Sequence, residues 1–205
     1  MTKTDTARAR LLEVAGELFT RQGYEETSVR EITSRAQANL GAITYHFGSK
    51  EALYHAAVEE VTAPLAEAVA AAAERPGSAI DRVESIVRAV LGYMVEHPGA
   101  PRMLLRELSS DRPIAPPMAR AMKRNIGTLV AAIAAGQQQG SIRPGDPALL
   151  ALSVVAQPFF LTVAGPLVRD AFAMDGNDPA VHQRIVEHIV WGVRRFIANQ
   201  PEAPP

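Results

Sequence analysis

A short segment near the amino terminus combines small, hydroxyl-bearing and imidazole side chains. Residues 39–47 read Asn-Leu-Gly-Ala-Ile-Thr-Tyr-His-Phe, and residues 33–49 contain no Asp or Glu. Hydroxyl, amide and imidazole groups bind phosphate oxygens and base edges, and without carboxylates nothing in the segment repels phosphate. The segment therefore has the chemistry of a surface that binds a nucleic acid.

The apolar residues around this segment predict two short helices that would position it. Ser28 and Glu31 have the spacing of a capping box, which predicts a helix start at Ser28. A second helix is predicted from about Asn39 to Gly48, with an inward face formed by Leu40, Ile43 and Phe47. Two short helices joined by a tight turn form a helix-turn-helix, whose second helix enters the major groove of DNA.

Helical periodicity continues along the rest of the chain. The first apolar stripe ends at Gly23, and Ser49 can cap a helix from Lys50 that Pro64 would bend. Neither a strand pattern nor an internal repeat is present. We expect an all-α protein with a three-helix helix-turn-helix domain at residues 1–51, a larger helical domain at residues 52–200 and a disordered tail at residues 201–205.

The composition excludes several classes of protein. The 205 residues include 21 basic and 22 acidic side chains, and the net charge of −1 rules out binding of nucleic acid by bulk charge alone. The absence of cysteine excludes disulfide scaffolds, cysteine nucleophiles and thiolate metal sites. The first ten residues are polar and charged and contain no apolar signal segment, so we expect a cytoplasmic protein.

An uncharged stretch at residues 148–168 is long enough to span a membrane. Ser153, Gln157 and Thr162 recur through it, two prolines interrupt it, and neither a Lys/Arg cluster nor an aromatic belt flanks it. We therefore interpret the stretch as a buried helix and expect no membrane partner.

Catalytic patterns are absent from the sequence. It contains no nucleophile elbow, phosphate loop, dinucleotide fingerprint or His-Glu-x-x-His motif, and no two of the five histidines are four residues apart. We expect no enzyme, no metal and no cofactor. Two alternatives stay open, namely an all-helical enzyme whose residues meet only in the fold and a helical protein-interaction adaptor that does not bind DNA.

One extended pattern covers about residues 8–53. It consists of Ala15, Leu18, Phe19, Gly23, Tyr24, Thr27, Ser28, Val29, Arg30, Ile32 and Ala36, followed by Ile43, Tyr45, His46, Phe47, Gly48, Ser49, Lys50, Glu51 and Leu53. This pattern resembles the DNA-binding domain of the TetR family of transcriptional regulators. The resemblance implies a homodimer that binds palindromic double-stranded operator DNA, a separate helical domain for ligand binding and dimerisation, and repression that a small-molecule ligand relieves.

The resemblance also implies roles for individual residues. Those that would contact phosphates are Thr27, Ser28, Arg30, Tyr45, His46 and Lys50, with Arg30 long enough to reach a guanine edge. Those that would face base edges or a thymine methyl group are Gly41, Ala42 and Thr44, and Asn39 belongs to the same surface.

Simpler explanations exist for several of these residues taken singly. Ser28 is explained by helix capping alone, Tyr45 could pack in the core, and Lys50 could be a solvated surface lysine. The register of the whole pattern favours DNA contacts for Tyr45 and Lys50. Seven basic and six acidic side chains precede residue 51, so DNA affinity must come from dimerisation and a few placed contacts.

One position departs from the family pattern. Gln37 stands between the two helices, where the family usually has glycine. A left-handed backbone at Gln37 would cost about 1 kcal/mol relative to glycine, unless the turn is remodelled. The departure bears on the angle of the second helix and not on the fold.

The candidates for a ligand site lie downstream. Gln157 is a polar residue among apolar ones, and a ligand contact is as good an explanation as a buried amide or a residue of the dimer interface. The further candidates are Met94, Met103, Arg106, Phe159 and Phe160. The resemblance implies a dimer interface in which the long apolar helix and the last helix form a four-helix bundle with their symmetry mates.

Overall fold

The computed structural model describes residues 3–176 and 178–199, and within them the chain is almost entirely helical. The helices are α1 (Lys3–Glu26), α2 (Val29–Arg35), α3 (Ala42–Phe47), α4 (Lys50–Ala73), α5 (Ala79–Glu96), α6 (Gly99–Leu108), α7 (Pro116–Gln138), α8 (Pro147–Val163), α9 (Gly165–Phe172) and α10 (Pro179–Ile197). In this part of the chain an isolated bridge between Ile142 and Ala198 is the only β pairing. The all-α prediction is confirmed, and the predicted tail at residues 201–205 lies outside the described residues.

The chain divides into two compact units. The first contains the residues up to Pro64 together with Gly99–Ala121, and the second contains Leu65–Pro98 and the residues from Met122 onward. The predicted domain boundary between residues 51 and 52 falls inside the continuous helix α4.

The first unit is built on α1, which packs against α2 and α6. Leu11, Leu18 and Phe19 are fully buried on one face of α1, as its periodicity predicts. Gly23 interrupts this helix with a φ of 86°, so the predicted stop at Gly23 is confirmed as a break. Glycine suits this position because it has no Cβ to oppose a positive φ.

A buried tyrosine fastens α6 to α4 within the first unit. The Tyr54 hydroxyl donates to the Glu107 carboxylate, and the other oxygen of that carboxylate accepts from the Ala115 amide at 2.6 Å. Burial, followed by the hydrogen bond to Glu107, raises the pKa of Tyr54. Because Ala115 directly precedes α7, this carboxylate fixes the end of α6 and the start of α7 against the same residue of α4.

The second unit has its core between α5, α8 and α10, which contact one another. The fully buried side chains at its centre are Val83, Ile133, Ala151, Val154 and Ile189. Three of its helix starts carry the caps that the sequence favours. Ser78 and Asp81 form a reciprocal capping box on α5, while Asp146 and Asp178 each cap a helix whose first residue is proline.

The uncharged stretch forms α8 and the first half of α9 rather than one long helix. No single helix among the described residues is long and apolar enough to cross a membrane. Only α8 and α9 together reach that length and composition, and the pair is bent by 71°.

Candidate nucleic-acid interface

The start of α2 is held by a side-chain cap. Ser28 is the N-cap residue, and its Oγ accepts from the Glu31 amide at 3.0 Å. The predicted reciprocal bond from Glu31 is wrong, because its carboxylate instead accepts from the Gln22 amide at 2.8 Å and lies 3.4 Å from the Arg35 guanidinium. Ser28 itself is exposed, so its hydroxyl caps the helix and still faces solvent.

Thr27 does not lie on the surface, and its predicted phosphate contact is wrong for the side chain. It is fully buried, and its hydroxyl donates to the carbonyl of Gly23 at 2.7 Å. The hydroxyl therefore satisfies the carbonyl at the break in α1, and because it is buried it cannot contact a phosphate. Arg30, one turn further along α2, is exposed, and none of the ion pairs among the described residues involves it.

The turn between α2 and α3 contains the residue that departs from the family pattern. Gln37 has a φ of 52°, so the left-handed backbone that its position suggested is confirmed. The amides of Gln37 and Ala38 donate to the carbonyls of Ser34 and Thr33, at 3.1 and 2.8 Å. The strain of a side chain at this φ is about 1 kcal/mol relative to glycine.

The helix α3 begins three residues later than predicted, and this changes which side chains face inward. Residues 39–41 form a turn before Ala42, so a helical period counted from residue 40 does not apply to them. Leu40 is 54% exposed and Ala42 only 9%, the reverse of the predicted assignment for both. Ala42 therefore anchors α3 beside the buried Ile43, and its predicted contact with base edges is wrong.

The exposed side of α3 and its preceding turn carry the remaining candidates. Asn39, Gly41 and Thr44 are exposed, and the Tyr45 ring is 79% exposed. His46 is half-buried, with its ring 4.9 Å from that of Tyr45. Tyr45 is therefore not a packing residue, and α3 presents hydroxyl, amide and imidazole groups to a partner.

Lys50 opens α4 beside an aromatic ring. Its Nζ lies 4.2 Å from the centre of the Tyr24 ring, and burial lowers its pKa. The Arg112 guanidinium lies 3.9 Å from the same ring and is 3.5 Å from Glu25 and 3.9 Å from Glu51. The carboxylates near Lys50, those of Glu25 and Glu51, form ion pairs with Arg112. None of the ion pairs among the described residues involves Lys50.

Two arginines of α1 join this region, and the sequence reasoning missed them. The Arg8 guanidinium lies 4.9 Å from the centre of the Phe47 ring at the end of α3. Arg10 donates from Nη2 to the side-chain oxygen of Gln37 at 3.1 Å. The only signal in the sequence is a pair of arginines in a polar first helix, and nothing local shows that they reach α3 and its turn.

The predicted ligand residues do not form one site. Met103 is buried in α6 and Arg106 donates to the Arg21 carbonyl at 2.7 Å, both within the first unit. Met94 is buried in the second unit, where its sulfur accepts from the Thr162 hydroxyl at 3.3 Å. Neither Met94 nor Phe159 lines the groove in which Gln157 and Phe160 are found.

That groove is open and lies between α8 and α10. Its volume is about 540 Å³, and Gln157 and Phe160 line it together with Val193 and Phe196. Gln157 is exposed, so the interpretation as a buried amide is wrong. The two helices that form the groove also expose Leu149, Leu152 and Trp191, and the neighbouring α9 exposes Leu167 and Phe172.

Family models match most of the chain. Residues 11–57 match the model described as bacterial regulatory proteins, tetR family, and residues 80–193 match the tetracyclin repressor-like C-terminal domain. The chain belongs to the TetR family. This membership places it among regulatory proteins and not among enzymes.

Two transcriptional repressors match part of the chain. The HTH-type transcriptional repressor AcnR of Corynebacterium glutamicum is 39% identical over 67 residues, which are 33% of this chain and 36% of that protein. The HTH-type transcriptional repressor NicS of Pseudomonas putida is 27% identical over 96 residues, which are 47% of this chain and 45% of the relative. The chain thus spans between about a third and a half of the length of these relatives.

The fold matches a solved structure along its whole length. A bacterial regulatory protein of the tetR family from Rhodococcus RHA1 has a TM-score of 0.78 and 24% sequence identity, covering 98% of this chain and all of that one. This likeness supports the arrangement of the helices.

Proposed function

We propose that the protein is a homodimeric transcriptional repressor that binds a palindromic operator in the cytoplasm. The observation that carries the proposal is the surface of α3. Its buried residues Ala42 and Ile43 hold the helix in place, while Thr44 and Tyr45 stand exposed on a segment without carboxylates. A short helix anchored in this way fits the major groove, which admits one helix.

The exposed residues divide into two roles. Tyr45, His46, Lys50 and Ser28 are assigned to backbone phosphates, which fix the position of the protein on the duplex. Thr44 and Arg30 are assigned to base edges, together with the backbone at Gly41 and the Asn39 amide. Arginine donates two parallel hydrogen bonds to guanine, so Arg30 is the strongest candidate for reading sequence.

The dimer interface is assigned to the apolar side of α8 and α10. Phe160 is 60% exposed and Trp191 59%. Large apolar side chains exposed on two helices that contact one another support an assignment as a site of association. Two copies packed through these helices would form a four-helix bundle and hold two α3 helices about 34–36 Å apart, one turn of DNA.

A small-molecule ligand is assigned to the second unit by family membership. Of the predicted ligand residues, Gln157 and Phe160 lie on the surface assigned to the dimer interface, so we assign them to that interface first. A ligand that binds one arrangement of the dimer more tightly would shift the spacing of the α3 helices by its difference in affinity, typically 1–3 kcal/mol.

The test is direct binding to DNA upstream of the gene. A fluorescent duplex of that region and a shuffled duplex of equal composition are titrated with the protein while anisotropy is recorded, and light scattering gives the mass in solution. The proposal expects a dimer that prefers the upstream duplex. A monomer at micromolar concentration that binds both duplexes alike, or neither, contradicts it.

A further inference from the structure

Gln37 keeps a strained backbone at a position where glycine would have none. With Ala173 it is one of two residues other than glycine that have a positive φ in the described part of the chain. A strained residue persists where the surrounding structure or the function maintains it, and such residues cluster at functional sites. The question is what the side chain of Gln37 does that a glycine could not do.

Among the described residues, the Gln37 side chain makes one hydrogen bond, and this bond suggests its role. The Gln37 amide oxygen accepts from Arg10 at 3.1 Å, a bond between two exposed side chains. Such a bond contributes little to stability, because water offers both groups the same hydrogen bonds in the unfolded chain. It does, however, fix the Arg10 guanidinium beside the turn that leads into α3.

The chemistry of the acceptor matters as much as its position. Gln37 is neutral, so it holds the guanidinium without cancelling its charge. Arginine has five N–H groups, and most of them stay available for a second acceptor. No ion pair among the described side chains involves Arg8 or Arg10, and the Phe47 ring supports Arg8 at the other end of α3.

We propose that Gln37 is a positioning residue for DNA binding, which holds Arg10 so that its guanidinium binds a backbone phosphate next to the one held by α3. Arg8, set on the Phe47 ring, supplies a second phosphate contact. The inference rests on the proposed function and deepens it, since it adds two cations to a surface with little net charge. The strain at Gln37 is the consequence of needing a side chain where the backbone favours glycine.

The test is a double-mutant cycle on a duplex that the wild-type chain selects from a random-sequence library. Gln37→Met keeps the length and the strain but removes the acceptor, and Arg10→Ala removes the cation. Each should weaken binding about threefold to tenfold, as expected for one ordinary hydrogen bond at an exposed site. Combined, they should weaken binding no more than Arg10→Ala alone.

The salt dependence separates positioning from a general effect on the turn. Both single variants should make the slope of log K against log salt concentration shallower by about 0.9, the value of one phosphate contact. Gln37→Glu retains an acceptor but neutralises Arg10, so it should also bind more weakly and with a shallower slope. Gln138→Met, at an exposed position of α7, serves as the matched control and should bind as the wild type does.

Three results would overturn the inference while leaving the proposed function intact. The first two are DNA affinity equal to that of the wild type in the Gln37→Met chain or in the Gln37→Glu chain. The third is that Gln37→Met weakens DNA binding by the same factor in the wild-type chain and in the Arg10→Ala chain. If the wild-type chain enriches no duplex at all, the proposed function fails and this inference fails with it. Circular dichroism of each variant verifies that the chain is folded.

Discussion

The surface of α3 and the face formed by α8 and α10 are both exposed, but they expose opposite chemistry. On α3 the exposed side chains are polar, and Tyr45 ends in a hydroxyl. On α8 and α10 the exposed side chains include Phe160 and Trp191. A polar surface without carboxylates suits a polyanion, whereas an apolar surface is covered most favourably by another apolar one. Exposure alone does not identify a partner, and the chemistry of the exposed atoms is what distinguishes the two proposed partners, DNA and a second copy of the chain.

The largest expected effect comes from placing charge on the apolar face of α8 and α10, which tests its assignment to the dimer interface. Phe160→Asp combined with Trp191→Asp should convert the dimer into a monomer, because two buried carboxylates would lack partners. Operator affinity should fall about 100-fold or more, since each half-site would then bind alone. Light scattering and anisotropy measure the two effects. Val95→Asp, at a side chain that is 45% exposed on α5, should leave the mass unchanged.

A double variant that stays dimeric would contradict the assignment of this face. A monomer that binds the operator as tightly as the wild type would contradict the role of the dimer instead. Both outcomes presuppose a folded chain, which the helical signal in circular dichroism verifies.

Single substitutions on the proposed DNA-binding surface should separate phosphate contacts from base contacts, with smaller effects on affinity than loss of the dimer. Tyr45→Ala should weaken binding to operator and to unrelated DNA by the same factor, because phosphates are common to both. Arg30→Ala should cost about 1–3 kcal/mol on the operator and much less on unrelated DNA. Anisotropy titrations with both duplexes give the two ratios. A change of preferred bases in the Tyr45 variant would show that the roles are wrongly assigned.

Acid should weaken the second unit through one cap. Hydrogen bonds from Ser78, followed by one from Arg194, lower the pKa of Asp81. Since the pKa is lower in the folded state than in the unfolded one, the carboxylate stabilises the fold above about pH 4 and this contribution is lost as pH falls through the folded value. Asp81→Asn should therefore lower the free energy of unfolding by about 1 kcal/mol at pH 7, a figure limited by solvent screening of the exposed pair.

Urea unfolding of the variant and the wild type at pH 7 and at about pH 2.5 measures this difference, which should be smaller in acid. Asp170→Asn is the matched control, because the Asp170 side chain is 74% exposed and its ion pair among the described residues is with the neighbouring Arg169. A difference between Asp81→Asn and wild type that is the same at both pH values would show that the charge of Asp81 has no part in it.

Several local signals in the sequence agree with the structure, whereas contacts between distant segments leave no local signal. The caps at Ser28 and Ser49 and the break at Gly23 follow from the residue and its immediate neighbours. The left-handed backbone at Gln37 was one of two possibilities, suggested by the glycine that the TetR family usually has at this position. Leu40 is exposed because α3 begins at Ala42, three residues after the predicted start, so the predicted inward face does not include it.

Side chains that act across the chain carried no such signal. Arg10 contacts a residue 27 positions away, and the Glu107 carboxylate meets a residue of α4 that is 53 positions away. The residues of α8 are apolar on nearly every side, so periodicity could not separate the buried Val154 from the exposed Leu152. Only packing decides which side of such a helix is covered.

The smallest expected effect is the most informative about backbone strain, because among the described residues each unit contains one residue other than glycine with a positive φ. Ala173 caps α9 with a φ of 52°, the same value as Gln37. Ala173→Gly relieves strain and loses no side-chain hydrogen bond, so it should raise the free energy of unfolding by about 1 kcal/mol. Gln37→Gly relieves equal strain but loses the bond to Arg10, so its gain should be smaller by about 0.5 kcal/mol, the contribution of an exposed hydrogen bond. Urea titrations followed by circular dichroism measure both. If both variants gain the same free energy of unfolding, the bond between Gln37 and Arg10 adds nothing to stability, and its role is in DNA binding alone. If Gln37→Gly instead lowers the free energy of unfolding, the side chain of Gln37 stabilises the turn itself.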